Sequence, residues 1–349
     1  MKPEPSRILF IRLSAVGDVI NTLPALEAVR SGFPRAFIGF VVEDRAQDLI
    51  EGHPSVDRVH LFRRRRWVKM ARRPLEWGRV CREVADFVAA IRRERYDVAL
   101  DFQANLKGAL HGLLSGARRR IGFSRDHASE GNHLFNNLHV TPPGTTINRV
   151  EKFLSLAAAL GVPTDGARYR LPEPASSRDL VGGFLAREGL ARYVAIHPGT
   201  SDFGKAKRWM PGRFSALATR IAAELGLRSV ITWGPAERPL AEEVVRGAGG
   251  QALLSPETRS VLDLAEVLRR ASLFVGCDSG PLHLCSAVGT PSVALFGPKD
   301  PRVYGPYSPR HLVVYKAEGG NGSMEAITVE DAFQAAAALY RESRPVLPA

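Results

Sequence analysis

The chain has 349 residues, of which 45% are hydrophobic and 24% charged, and its formal net charge is +12. The length predicts two domains, and the composition is typical of a soluble globular protein whose core needs no metal or disulfide. No apolar run could span a membrane, no signal peptide precedes the first predicted strand, and the cysteines form no Cys-x-x-Cys pair. We therefore expect a cytoplasmic protein with reduced thiols and an anionic partner: nucleic acid, a membrane face or a phosphorylated substrate.

The first half of the chain alternates apolar runs with segments of helical periodicity. Strands are predicted at residues 7–13, 36–42, 56–62, 96–102 and 119–123. Helices are predicted after Gly17-Asp18 and at residues 43–51, 80–91, 105–114 and 148–160, whereas residues 126–140 have no clear period. Nearly continuous apolar strands that alternate with helices indicate a parallel sheet with helices on both faces.

Residues 161–177 carry glycines and prolines without a period and are predicted to be a linker. After them the alternation starts again, with strands at residues 193–197, 229–233, 273–275 and 292–296. Helices are predicted at residues 178–188, 211–225, 260–271 and 281–289, with a final amphipathic helix at 328–341. The sequence thus predicts an α/β protein of two doubly wound halves, which bind ligands beyond the carboxyl ends of their strands.

A tight turn, Asp278-Ser279-Gly280, links a buried strand to a helix in the second half. Pro281 suits the first helical turn, and His283 adds a donor there. Free N–H groups and the positive end of the helix dipole make such a turn a site for an anion. The alternative is structural: Asp278 would then only cap the helix, and His283 would be a partly buried helical residue.

Three turns of the second half follow predicted strands and together suit a nucleotide diphosphate. They offer backbone N–H groups and hydroxyls for phosphates, and Glu237 for ribose hydroxyls. Lys205 and Lys207 follow the first turn and could neutralise phosphate charge, although loop lysines are commonly solvated surface residues. The turns are Pro198-Gly199-Thr200-Ser201, Gly234-Pro235-Ala236-Glu237 and Asp278-Ser279-Gly280.

Asp18 is the outstanding carboxylate of the first half, because it follows the first strand beside Gly17. A transferase that activates an acceptor hydroxyl needs a general base at such a position. The alternative is that Asp18 only caps the first helix.

Residues 63–82 contain nine basic side chains and one acidic side chain, with Trp67 and Trp77 among them. Nucleic-acid binding is disfavoured because no known motif is present; an anionic lipid surface and a solvated loop both remain possible. No metal-ligand spacing occurs, and His127, His133 and His139 fall in the irregular segment. The sequence lacks the Gly-x-Ser-x-Gly motif of hydrolases, the Walker motif of ATPases and the Gly-x-Gly-x-x-Gly motif of dinucleotide enzymes, so these three classes are disfavoured.

Four separated segments resemble the bacterial ADP-heptose:lipopolysaccharide heptosyltransferases, glycosyltransferase family 9. They are ILFIRLSAVGDVINTLPALEAVR, HPGTSDFGKAKRWMPGRF, WGPAE and VGCDSGPLHLCSAVGTPSVALFGPKDP. A further segment, DFQANLKGAL, is more similar to heptosyltransferase I than to heptosyltransferase II. The resemblance implies a GT-B fold: two Rossmann-like domains that face each other across a cleft. The implied domains are residues 1–165 for the acceptor, 166–326 for the nucleotide sugar, and 327–349, a helix packing back on the first domain.

The resemblance also implies an activity: inverting, metal-independent transfer of heptose from ADP-L-glycero-β-D-manno-heptose to the inner-core Kdo of Kdo2-lipid A. No cofactor and no nucleic acid are expected, and the protein would be a monomer bound peripherally to the inner membrane. The implied catalytic residues are Asp18, as general base, and Lys207. The implied donor-binding residues are Thr200, Ser201, Lys205, Glu237, Asp278, Ser279, Gly280 and His283. The implied acceptor-binding residues are Arg63, Arg64, Arg65, Arg66, Gln103 and Lys107.

Several alternatives remain open at this point. Lys205 could replace Lys207 as the functional lysine, and heptosyltransferase II or another family member with a different acceptor would share the same motifs. A non-catalytic nucleotide- or glycan-binding protein could use the same fold, although Asp18 and Lys207 argue against it. A dinucleotide oxidoreductase is disfavoured by the missing glycine fingerprint.

Overall fold

A computed structural model of the chain describes residues 4–200, 202–318 and 321–342. The chain forms two compact units that divide between Pro172 and Glu173, inside the predicted linker. The division comes later than residue 165 because the intervening residues pack on the first unit. Leu171 is buried there, and the backbone oxygen of Arg170 lies 2.9 Å from Nε2 of His53.

The first unit is built on one parallel sheet of six strands in the order β3-β2-β1-β4-β5-β6. Its strands are β1 (Arg7–Ile11), β2 (Phe37–Glu43), β3 (Arg58–Phe62), β4 (Val98–Asp101), β5 (Arg119–Phe123) and β6 (Leu138–Val140). Its helices are α1 (Val16–Gly32), α2 (Arg64–Ala71), α3 (Trp77–Arg93), α4 (Leu106–Leu114) and α5 (Arg149–Ala158). The strand order reverses between β1 and β4, and a ligand crevice is expected at such a point.

The second unit repeats this plan with the strand order β12-β11-β10-β7-β8-β9. Its strands are β7 (Tyr193–His197), β8 (Arg228–Ile231), β9 (Ala252–Leu254), β10 (Leu273–Cys277), β11 (Ser292–Phe296) and β12 (His311–Tyr315), followed by a hairpin of β13 (Ala317–Glu318) and β14 (Asn321–Gly322). Its helices are α6 (Ala175–Glu188), α7 (Pro211–Leu225), α8 (Arg238–Gly247), α9 (Val261–Arg269), α10 (Gly280–Val288), α11 (Pro301–Tyr304) and α12 (Val329–Glu342).

The final helix, α12, packs against other elements of the second unit. Phe333, Ala336 and Leu339 belong to the same buried cluster as residues of α7 and of the β7–β10 sheet. The backbone oxygen of Ile327, just before α12, accepts a 2.9 Å hydrogen bond from Nε1 of Trp209. Residues 343–349 of the predicted third segment lie outside the described residues.

The elements that sequence reasoning missed lie where the chain is charged or weakly periodic. The helices α2 and α8 were not predicted, and neither were the edge strands β6, β9 and β12. The helix predicted at residues 43–51 forms as a 3-10 helix at residues 44–49. All three cysteines are free. Among the described residues, no helix is long and apolar enough to cross a membrane.

Candidate functional site

The three predicted turns of the second unit lie side by side at one edge of its sheet. Each turn follows the carboxyl end of a strand, and these strands are neighbours in the order β10-β7-β8. Because all pairs in this sheet are parallel, the three ends point the same way. The tertiary structure therefore brings Asp278, Thr200 and Glu237 to a shared edge, at the point where strand order reverses.

Lys207 and Asp278 form an ion pair at this edge. Lys207 ends a 3-10 helix, Asp202–Lys207, and its Nζ donates to Oδ2 of Asp278 at 2.7 Å. Asp278 is 7% exposed, and Nε2 of the buried His283 lies 3.9 Å from its Oδ1. A partly buried lysine held in place by a buried carboxylate provides a fixed positive charge.

The two residues after Lys207 fix this loop to the unit. Nη2 of Arg208 donates to the backbone oxygen of Thr200 at 2.9 Å, while Oγ1 of Thr200 donates to the backbone oxygen of Gly204 at 2.9 Å. Trp209 is 1% exposed and packs edge-on against Phe214. The hydroxyl of Thr200 thus braces the loop. Lys205 is exposed, and Ser201 lies outside the described residues.

Ser279 precedes helix α10 and contributes a buried hydroxyl that the described residues leave unused. It is the N-cap residue of the nine-residue helix, yet its side chain makes no capping hydrogen bond. Its Oγ is buried and has no hydrogen-bond partner among the described residues. A buried hydroxyl without a partner is costly, and a bound oxyanion would give it one together with the N–H groups of the first turn.

Glu237 is held at the end of β8 by two neighbours. Its Oε2 accepts a hydrogen bond from the backbone N–H of Gly234 at 2.9 Å and lies 3.4 Å from Nε2 of His197. Burial lowers the pKa of His197, although the charge of Glu237 opposes this change. Gly199 makes room for the carboxyl group, because a Cβ there would lie 2.3 Å from the Glu237 carboxyl carbon. The turn after β7 therefore requires glycine at this position.

Asp18 lies in the first turn of α1, but it is not the N-cap of that helix. The N-cap is Ala15, whose side chain makes no capping hydrogen bond. The Asp18 carboxylate instead pairs with the guanidinium of the buried Arg12 and lies 3.7 Å from Nε of Arg149. With 27% of its side chain exposed, Asp18 remains accessible at the sheet edge where strand order reverses. This geometry disfavours the capping interpretation.

Three cations around Asp18 were not predicted from the sequence. Arg12 is 4% exposed, and its Nη1 donates to the backbone oxygen of Phe102 at 2.6 Å. Arg149 and Lys152 come from α5, more than a hundred residues away. The one local signal was Arg12 itself, a charged residue at the end of an otherwise apolar strand. Positive charge thus exceeds negative charge beside Asp18, which suits an acidic ligand.

Burial lowers the pKa of Lys152 to about 8, the positive charges of Arg149 and Arg12 act in the same direction, and Asp18 opposes them. The unfolded chain keeps the ordinary lysine pKa of about 10.5, so between these values it binds more protons than the folded chain. We therefore expect the difference in melting temperature between wild type and Lys152→Met to shift in favour of wild type as the pH rises from 8 to 10. Thermal unfolding of both proteins across this range measures the effect. Parallel curves would contradict it, and Lys69→Met, at an exposed lysine, is the control.

The predicted acceptor residues separate into two groups, and the first group is Arg64, Arg65 and Lys107, whose charges act on Glu43 at the end of β2. Burial raises the pKa of Glu43, and the positive charges of these three residues oppose that rise. Oε1 of Glu43 has no hydrogen-bond partner among the described residues, so this buried carboxyl was a missed candidate.

The other acceptor residues have different surroundings. Oε1 of Gln103, after β4, accepts from the backbone N–H of Leu13 at 3.0 Å, which ties it to the end of β1. Arg63 is the exposed N-cap of α2. Nη2 of Arg66 donates to Oε1 of Glu83 at 2.7 Å, so Arg66 braces α2 against α3. In the part of the chain that the structure describes, no group of three or more His, Cys, Asp or Glu residues could hold a metal ion.

Comparisons with known proteins identify the family of the chain. The family model described as "Glycosyltransferase family 9 (heptosyltransferase)" matches residues 84–332. The chain belongs to glycosyltransferase family 9. The chain is also 30% identical over 308 residues to lipopolysaccharide heptosyltransferase 1 of Pseudomonas aeruginosa, which covers 86% of this chain and 81% of that relative. The predicted family, and with it a glycosyltransferase enzyme, is confirmed.

Two solved heptosyltransferase structures are similar to the chain over nearly its whole length. E. coli heptosyltransferase WaaC with ADP has 25% sequence identity and a TM-score of 0.77, and the match covers 97% of this chain and all of that chain (100%). The structure of the same enzyme with ADP-2-deoxy-2-fluoro heptose has 25% sequence identity and a TM-score of 0.74, and the match covers 94% of this chain and 98% of that chain. These family 9 structures confirm the predicted α/β GT-B fold class, with its two parallel sheets and flanking helices.

Proposed function

We propose that this family 9 enzyme transfers heptose from ADP-L-glycero-β-D-manno-heptose to the Kdo of Kdo2-lipid A, in the inner core of lipopolysaccharide. The observation that carries the proposal is the Lys207–Asp278 pair beside the unused Ser279 hydroxyl, on the same sheet edge as Glu237. The similarity to heptosyltransferase 1 of Pseudomonas aeruginosa supports this activity.

The second unit supplies the donor site in this proposal. The ADP diphosphate binds the N–H groups at the start of α10, beside Ser279 and Gly280, and Lys207 supplies the opposing positive charge. Glu237 binds the ribose hydroxyls through Oε1, which accepts no hydrogen bond from the described residues. His283, beside Asp278, faces the phosphate and sugar portion. The leaving ADP gains negative charge as the glycosidic bond breaks, so a fixed lysine stabilises the transition state more than the ground state.

The first unit supplies the base and the acceptor site. Asp18 accepts the proton of the acceptor hydroxyl as its oxygen bonds to the anomeric carbon, and ADP departs with the electrons of the broken C–O bond. Such an attack opposite the leaving group inverts the anomeric configuration. The excess positive charge of Arg12, Arg149 and Lys152 supports an acidic sugar as acceptor. Arg63, Arg64, Arg65, Arg66, Gln103 and Lys107 are proposed to contact the rest of the acceptor.

A lipid-linked acceptor also implies a place of action. We propose that the enzyme works as a monomer at the cytoplasmic face of the inner membrane, bound peripherally. The net charge of +12 is consistent with attraction to anionic lipid headgroups.

The test is to incubate purified protein with ADP-heptose and Kdo2-lipid A, without added metal, and to weigh the lipid by mass spectrometry. A gain of one heptose supports donor, acceptor and subfamily together. No gain with retained ADP-heptose binding would reject the acceptor and favour the heptosyltransferase II alternative, for which a heptosylated core is the next acceptor. Binding of ADP-heptose without transfer to either acceptor would favour the non-catalytic alternative.

A further inference from the structure

Exposed apolar side chains are concentrated on one part of the first unit. Of eleven large hydrophobic residues that are exposed among the described residues, nine fall between residues 68 and 134. Four leucines of α4 recur at helical spacing and are 37–42% exposed, so they form one stripe: Leu106, Leu110, Leu113 and Leu114. A soluble protein rarely concentrates its exposed apolar residues in this way without a partner.

The turn between α2 and α3 carries the most exposed of these residues. Leu75, in the 3-10 turn Pro74–Glu76, has a relative exposure of 102%, and Trp77 one position beyond the turn is 59% exposed. Nε1 of Trp77 donates to the backbone oxygen of Ala71 at 2.8 Å, which holds the ring over the end of α2. We call Leu75 and Trp77 the apolar tip.

The apolar tip and the leucine stripe belong to one layer of helices. Phe87 of α3 and His111 of α4 pack edge-on with ring centroids 5.8 Å apart, and Nε of Arg92 donates to the backbone oxygen of Leu114 at 2.9 Å. Trp67 of α2 donates to Glu83 of α3 at 2.9 Å, so α2 is joined to the same layer.

This layer is also the most basic part of the chain. Residues 63–95 contain twelve basic and four acidic side chains, a net +8 of the chain's +12. Glu83, one of the four acids, already pairs with Arg66 and Arg79. Exposed leucine and tryptophan side chains surrounded by arginines are the pattern of a surface that lies in the interface of an anionic bilayer.

We propose that the α2–α4 layer is a membrane-docking surface, with the apolar tip inserted among the acyl chains of an anionic phospholipid bilayer and the arginines at its headgroups. A second copy of the chain is a poorer occupant, because a symmetric dimer would bring two +8 surfaces together. The surface stands on its own exposure and charge; only the identity of the bilayer rests on the proposed function.

Vesicle binding tests this surface directly. Trp67, Trp209 and Trp233 are buried, so a change in tryptophan emission reports mainly on Trp77. We expect the protein to sediment with phosphatidylcholine vesicles that contain about 30% phosphatidylglycerol, with blue-shifted emission, and not with pure phosphatidylcholine vesicles. Binding should weaken in high salt. Equal binding to both kinds of vesicle, or unshifted emission on binding, would overturn the proposal.

Variants separate this surface from a general effect of charge. Leu75→Glu should weaken vesicle binding by about tenfold or more, because it adds a negative charge to the inserted residue. Met210→Glu is the matched control, since Met210 is 54% exposed in the second unit, and it should bind as wild type does. Unchanged binding of Leu75→Glu would refute insertion of the tip. If wild type self-associates but does not bind vesicles, and Leu75→Glu abolishes the self-association, the surface binds a second copy of the chain instead.

The outcome is independent of the transferase assay. Leu75→Glu should retain transfer of heptose to a soluble, deacylated acceptor. If the protein transfers heptose but does not bind vesicles, the docking surface is rejected and the proposed function stands. If it binds vesicles but does not transfer heptose, the proposed function is rejected and the docking surface stands.

Discussion

Asp18→Asn should lower the turnover number for heptose transfer by about 10²–10⁴-fold while leaving ADP affinity unchanged. The amide keeps the size of the carboxyl group but cannot accept the proton of the acceptor hydroxyl. The groups assigned to ADP follow the strands of the second unit, so their geometry does not depend on Asp18. Single-turnover transfer and ADP titration calorimetry measure the two effects separately.

Loss of stability has to be distinguished from loss of catalysis in this variant. Asp18→Asn removes the charged partner of the buried Arg12, and we expect the free energy of unfolding to fall by about 1–2 kcal/mol, less than for a fully buried pair. The exposed Asp44, at the start of a 3-10 helix, offers a matched control as Asp44→Asn. Near-normal turnover of folded Asp18→Asn would reject Asp18 as the base.

Lys207→Met should lower kcat/KM for the ADP-sugar by about a hundredfold or more and weaken ADP binding. The substitution removes the positive charge that we propose faces the diphosphate, and it leaves the carboxylate of Asp278, which is 7% exposed, to repel the donor. Transfer kinetics at varied donor concentration and ADP calorimetry provide the measurement. Lys205→Met is the matched control, because Lys205 is exposed in the same loop, and its effect should stay within about threefold.

A double variant decides how Lys207 acts. If the lysine only neutralises Asp278, then Lys207→Met with Asp278→Asn should recover most of the lost donor affinity. If the lysine contacts the diphosphate, the double variant should bind ADP as weakly as Lys207→Met does. If Lys205→Met lowers kcat/KM strongly and Lys207→Met lowers it only slightly, Lys205 is the functional lysine.

Local sequence was enough to predict most of the helices and strands at the proposed donor site, although it missed α8, whose N-cap is Glu237. The apolar run before Asp278, the proline after Gly280 and the helical spacing beyond are all short-range signals, and β10 and α10 form there. The same signals found β7 and the turn that carries Thr200. They failed at α2, where consecutive arginines conceal the single buried residue of that helix, Trp67. They also failed at β6, β9 and β12, which lie at or near sheet edges and have weak apolar patterns.

The sequence by itself determined the alternation of strands and helices, the two halves, and the turns that carry Thr200, Glu237, Asp278 and Ser279, because each depends on neighbouring residues. Only the tertiary structure decided which of these turns are adjacent, since strand order is set by pairing between distant segments. It also decided that Asp18 pairs with Arg12 rather than capping α1, and that α12 packs within its own unit. Burial and ion pairing depend on residues far apart in the chain, and local periodicity carries no information about them.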